Sequence, residues 1–232
     1  MTNLVSVENL TFGFRNRLLY QNLTFSLRKG SMTSLIGANG VGKTTLVRLL
    51  MRQLNPITGT ISFMPGLKLG YVPQFRNIDS EYPLSIRNFV QLNQLGHIFP
   101  WHTLSERRQV DKALQQTQLV GRQNQALGQA SGGEKQKAYL AQALLVDPNF
   151  LILDEATASL DVNTKLELMT LVRELNQSLG LTVLFVTHDL PLAKKFTDQC
   201  LLLTSDSYQM RSTDEMDEDF LPKELQSYQE VR

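Results

Sequence analysis

Apolar and polar residues alternate through two opening stretches, 4–14 and 23–27. A period of two predicts half-buried antiparallel strands, with a turn around Lys29-Gly30. The largely apolar run 32–36 leads into a glycine-rich loop, and a helix-compatible run follows over 45–53. Pro56 and Gly59 mark a turn before short strands at 61–64 and 69–72. From 85 to 129 the chain becomes Gln-rich and helix-compatible. Ser85 is placed to cap a helix over 86–94, and Thr103-Leu104-Ser105-Glu106 reads as a capping box for a helix reaching about 118. A second capping box, Ser131-Gly132-Gly133-Glu134, opens a helix to about 146. Then come an apolar strand at 150–153, a helix capped by Asp161 and ending near Gly180, a strand at 181–186, a short helix from Pro191 and a last strand ending near 204. Strands alternating with helices imply right-handed crossovers and a mostly parallel sheet.

The loop is Gly37-Ala38-Asn39-Gly40-Val41-Gly42-Lys43-Thr44, which fits G-x-x-x-x-G-K-[ST]. Between a strand and a helix, its glycines let successive N–H groups converge where the helix dipole adds positive potential. In such a loop Lys43 supplies a charge to the outer phosphates, and the Thr44 hydroxyl is a ligand for Mg²⁺. A chance Gly-rich turn lacks that strand and helix context. The predicted fold class is therefore α/β: a P-loop NTPase core with a mostly parallel sheet, an N-terminal antiparallel β subdomain and an inserted helical subdomain.

Composition narrows the picture. The 232 residues are 42% apolar and 19% charged, enough for a substantial core. A net charge of +1 gives no general attraction to nucleic acid or anionic lipid. No apolar run approaches the ~18 residues of a membrane span, and no secretory signal opens the chain, so any membrane association is expected through a partner. The single Cys200, in an apolar run, reads as a core residue in a reducing compartment. The segment 214–219 is nearly all acidic and is expected to be a solvated tail.

Phe150-Leu151-Ile152-Leu153-Asp154-Glu155 places two carboxylates at the carboxyl end of a buried strand, where open parallel sheets bind ligands. Asp154 is placed to hold Mg²⁺, and Glu155 to polarise a water. Either carboxylate alone reads as an ordinary strand end. Val183-Leu184-Phe185-Val186-Thr187-His188 repeats the pattern and sends His188 into the same crevice.

The set 37–44, Gln74, Ser131-Gly132-Gly133, Asp154-Glu155, Ser159-Leu160-Asp161 and His188, in this order and spacing, resembles the ATPase subunit of ABC transporters. It covers about 4–204 and implies one such domain over 1–232, with a helical subdomain at about 85–129 and an acidic tail at about 205–232. The resemblance implies that Phe14 stacks on adenine, where the family more often has Tyr. It implies that Gly37, Asn39, Gly40, Gly42, Lys43, Thr44 and Thr45 hold ATP and Mg²⁺, with Gln74 and Asp154 also at the metal. Glu155 is then the catalytic base, His188 the γ-phosphate switch, and Lys43 and Gln74 complete the catalytic set. Ser131, Gly132, Gly133 and Asp161 are implied to meet ATP held by a second copy in a head-to-tail homodimer. The signature reads Ala130-Ser131-Gly132-Gly133-Glu134 where Leu-Ser-Gly-Gly-Gln is usual. The smaller Ala130 removes apolar contact of about 1–2 kcal/mol if buried.

The stretch from Tyr71-Val72-Pro73-Gln74 through Ile78-Asp79 and 82–90 is similar to the ATPases of zinc and manganese importers, then to those of iron–siderophore importers. That implies a subunit at the cytoplasmic face of the cell membrane, bound to an integral permease and served indirectly by an extracellular metal-binding protein. No nucleic-acid partner is expected. Phe75, Tyr82, Phe89, Phe99 and Trp101 are candidates for a groove taking a short permease helix, or for the lobe's own core. His97 and His102 lack the neighbours of a metal site. A soluble ABC ATPase of iron–sulfur cluster assembly is the alternative from another class, and an exporter subunit fits the 82–90 stretch less well.

Overall fold

The computed structural model describes residues 2–15, 17–74, 83–94, 103–205 and 207–216. Along the chain come β1 (Asn3–Phe14), β2 (Arg17–Arg28), β3 (Met32–Gly37), α1 (Lys43–Leu50), β4 (Thr58–Phe63), β5 (Leu69–Val72), α2 (Ile86–Gln91) and α3 (Leu104–Gln116). The second half holds α4 (Gly132–Leu144), β6 (Phe150–Asp154), α5 (Val162–Leu179), β7 (Thr182–Val186), α6 (Leu190–Phe196), β8 (Gln199–Leu203) and β9 (Tyr208–Ser212). An antiparallel sheet runs β2-β1-β4, and a larger one β5-β6-β7-β3-β8-β9. The first five strands of the larger sheet are parallel; only β9 is antiparallel.

The period of two within β6 and β7 decides the layers. Phe150, Ile152, Leu184 and Val186 join a cluster with Leu46, Val47 and Leu50 of α1 and with Val5, Leu10 and Leu27 of the antiparallel sheet. Leu151, Leu153, Val183 and Phe185 point the other way, into a cluster with Leu140 and Leu144 of α4 and Leu168, Met169 and Val172 of α5. Strands covered on both faces read as near-continuous apolar runs, as these two do over 150–153 and 183–186. The helical lobe, α2 and α3, packs on α4 through Phe89, Val90, Val110 and Leu114.

The caps fall where the sequence places them. Ser85 accepts from the Asn88 amide, both capping boxes close, and Asp161 accepts from the Thr164 amide. Gly180, at φ 65°, ends α5 in the left-handed conformation that favours glycine.

Three expectations change, and one open alternative is decided. Helix α1 begins at Lys43, inside the loop motif, rather than at 45, and it stops at Leu50, with Arg52 in left-handed conformation at φ 58°. Phe89 is 7% exposed and stands edge-on to Tyr139 at 5.0 Å, so of its two readings it takes the lobe's own core. β8 is not the last strand, because β9 pairs along its whole length. Finally, Thr213 and Met216 are buried, Met216 against Leu190, Ala193 and Leu202, so the globular unit continues to 216. Only alternate side chains of β9 are partly covered, too short a pattern to stand out beside the charges that follow. Phe75, Ile78, Asp79, Tyr82, His97, Phe99, Trp101, His102 and the acidic residues from 217 onward lie outside the described residues.

Candidate active site

Strand β3 delivers the chain to the loop, and Gly40 and Gly42 turn it with φ of 79° and 116°. Gly42 sits at the cap position of α1, where no side chain accepts from the first amides, which leaves them for an anion. A Cβ on Gly42 would also approach the Tyr20 hydroxyl to 2.5 Å. That hydroxyl donates to the Gly42 carbonyl, so the antiparallel sheet braces the loop from below. The Lys43 ammonium, in a residue 6% exposed, folds back onto the Gly37 and Ala38 carbonyls at 2.8 and 3.1 Å. Burial lowers its pKa, and the facing Glu155 and Asp154 carboxylates act the other way. Asn39 and Gly40 are exposed at the loop's tip, where the Arg17 guanidinium donates to the Gly40 carbonyl at 3.2 Å.

Parallel pairing brings the other strand ends to this loop. Asp154 is 5% exposed, and Tyr71, from neighbouring β5, donates to it at 3.0 Å. Burial raises the Asp154 pKa; the Tyr71 bond opposes it, and the Glu155 charge adds to it. Glu155 adopts φ 49°, and its amide donates to the Val186 carbonyl at 3.1 Å. That turn swings its carboxylate off the strand end, where Gln74 Nε2 donates to it at 2.9 Å. Thr44, Gln74 and Asp154 line one cleft with Arg48 and Tyr71. Their hydroxyl, amide and carboxylate oxygens are the hard donors that Mg²⁺ takes, so this chain's residues fit that ion. His188 lines a smaller cleft together with Glu155, Thr157, Ala158 and Lys165. The structure thus gathers Lys43, Thr44, Gln74, Asp154, Glu155 and His188.

Phe14 is 53% exposed at the end of the β1–β2 hairpin, paired across it with Arg17, and meets only the edge of Phe12 among described rings. An open aromatic face beside the loop suits base stacking. Thr45 is half-buried in the first turn of the helix.

Ser131, Gly132, Gly133 and Asp161 form a separate group. Ser131 caps α4, and its amide donates to Glu134, which also reaches Arg122 at 3.3 Å. A Cβ on Gly132 would meet Leu160 at 3.1 Å, and one on Gly133 would meet Thr164 at 2.5 Å, so the two glycines let α4 and the start of α5 touch. Ala130 is 6% exposed, packed in the same core as α4. Among the described residues no hydrogen bond joins Ser131–Gly133 to the phosphate loop. Tyr20, Tyr71 and Arg17 were not legible as site residues. Each acts across a strand pairing or a hairpin, which no local motif encodes. Among the described residues no cluster of three or more His, Cys, Asp or Glu can hold a metal.

The chain is 36% identical over 206 residues to the zinc import ATP-binding protein ZnuC of Photorhabdus laumondii, covering 88% of this chain and 76% of that one. It is 37% identical to the ZnuC of Yersinia enterocolitica, with 88% and 77% covered. Among solved structures, a metal-chelate-type ABC transporter in an inward-facing conformation superposes with a TM-score of 0.86 at 28% identity, covering 98% of this chain and 88% of that one. The family model described as ABC transporter matches residues 20–158, which span β2 to the turn after β6 and so hold both the phosphate loop and the paired carboxylates. The chain belongs to the ABC transporter family, as one of its ATP-binding cassettes.

Proposed function

We propose that this chain hydrolyses ATP to drive a separate membrane permease that imports a divalent metal ion, zinc ahead of manganese. The hydrogen bond from Gln74 to Glu155, at the strand ends facing Lys43, carries the catalytic part of this reading. The cargo rests on the relatives named for zinc import. The phosphate loop amides and Lys43 bind the β- and γ-phosphates, and Phe14 stacks on the base. Glu155 accepts a proton from the attacking water, and Gln74 holds that carboxylate in place. His188 donates to the γ-phosphate. Bound by Thr44, Asp154 and Gln74, Mg²⁺ would neutralise charge on the phosphate oxygens.

Ser131, Gly132, Gly133 and Asp161 complete the site of a second copy. They sit at a helix start remote from this chain's own loop, where the capping box engages the Ser131 and Glu134 amides but not those of Gly132 and Gly133, and a head-to-tail dimer with two buried ATP molecules uses both halves. The permease is read as a separate partner, met at the cytoplasmic face of the membrane; no helix among the described residues is long and apolar enough to cross a membrane. The metal-chelate transporter among the structural neighbours favours a second reading, import of a chelated metal. Proteoliposomes holding the permease and this subunit test both. ATP-dependent uptake of zinc, absent with Glu155→Gln, is expected. Uptake of a chelate but not of free zinc would move the cargo to the second reading.

A further inference from the structure

The side chain of His188 is exposed and has no hydrogen-bond partner among the described residues, so its direction is set by the backbone on either side of it. That backbone is held at both ends. The Thr187 amide donates to the Leu35 carbonyl at 3.1 Å, which ties the strand exit to β3. On the other side Asp189 is fixed three ways: its amide donates to Thr187 Oγ1 at 2.9 Å, its Oδ1 accepts from the Leu192 amide at 3.2 Å, and its Oδ2 accepts from Lys165 Nζ at 3.0 Å. Lys165 is 4% exposed, and the Asp189 side chain it pairs with is 17% exposed, so the ion pair is buried on the lysine side and half-buried on the other. A buried ammonium is costly, so pairing with Asp189 is what keeps Lys165 inside, and Lys165 in turn pins Asp189.

Lys165 lies one turn into α5. Its amide donates to the carbonyl of Asp161, the cap residue of that helix. Lys165 also lines the cleft that holds Glu155 and His188. One rigid helical turn and one ion pair therefore connect the Asp161 loop to the residue beside His188.

We propose that Lys165 is a positioning residue for ATP hydrolysis: through Asp189 it aims His188, and it transmits the placement of Asp161 to that histidine. This rests on the role given above to His188. Closure on a second copy would move Asp161 with the first turn of α5, and the Lys165–Asp189 ion pair would carry that movement to His188. Hydrolysis is then tied to dimer closure without His188 touching the other subunit.

The test uses the full chain with its permease. Lys165→Met/Asp189→Asn removes both charges while Asn keeps a good helix cap. The expected result is a fall in kcat of tenfold or more, with KM and the affinity for a fluorescent ATP analogue within twofold of the parent. Lys165→Arg is expected to retain most of the parent kcat. An unchanged kcat in the double variant, or a kcat loss accompanied by an equal loss of nucleotide affinity, overturns the proposal. If Lys165→Met/Asp189→Asn does not fold, Asp189→Asn alone takes its place with the same readouts. His188→Ala run in parallel separates the two readings. A large kcat loss there with none in the pair variant refutes Lys165's role alone; no loss in His188→Ala removes the histidine's role as well.

Discussion

The contact between Gly133 and Thr164 allows a prediction with its magnitude taken from the geometry. A Cβ added at Gly133 would lie 2.5 Å from Thr164 Cγ2, about 1 Å inside ordinary carbon–carbon contact. Thr164 has little freedom to turn away, because its hydroxyl donates to Asp161 Oδ2 at 2.6 Å and its amide to Asp161 Oδ1 at 3.1 Å. Gly133→Ala must therefore push α4 from α5, an overpacking that costs about 1–3 kcal/mol, set against a helix-propensity gain of at most about 1 kcal/mol. Thr164→Ser deletes Cγ2 and keeps the hydroxyl, so the double variant should recover the loss. The measurement is a double-mutant cycle by urea unfolding, read together with ATP-dependent dimerisation. A favourable coupling of about 1–3 kcal/mol is expected, with dimerisation weakened in Gly133→Ala and restored by Thr164→Ser. Coupling within about 0.5 kcal/mol of zero would refute the idea that Gly133 is there to let the two helices touch.

Glu155→Gln keeps an oxygen to accept from Gln74 but cannot take a proton, so turnover should fall by about a hundredfold or more with ATP affinity retained; undiminished turnover removes Glu155 from the mechanism. Lys43→Ala deletes the only cation bonded to the Gly37 and Ala38 carbonyls among the described residues, and calorimetry should show nucleotide binding abolished. Cys200 is 0% exposed, and burial pushes its thiol up to about 11 from an ordinary 9.0. Below pH 9.0 both folded and unfolded chains keep that proton; above it the unfolded chain loses it first, so this group's contribution to stability is lost by about pH 11. At neutral pH an aromatic disulfide reagent should label Cys200 only in denaturant, and rapid labelling of the native protein would contradict its burial.

What the sequence determined on its own was the set of local signals. The loop motif, the capping boxes at Thr103 and Ser131, the Asp161 cap and the apolar runs 150–153 and 183–186 are short-range patterns, and the helices and strands follow them closely. Tertiary structure decided everything that depends on two distant segments meeting. Tyr71 reaches Asp154 because β5 pairs beside β6; Tyr20 reaches Gly42 because the antiparallel sheet lies against α1; Lys165 meets Asp189 because α5 packs against α6, the helix that Asp189 caps. β9 exists because the β8 edge was there to pair with, its own five residues carrying too little pattern to announce a strand. Hydrogen-bond reach is about 3 Å, while these partners are separated by 22 to 83 residues of chain, so only the folded arrangement of elements brings them together.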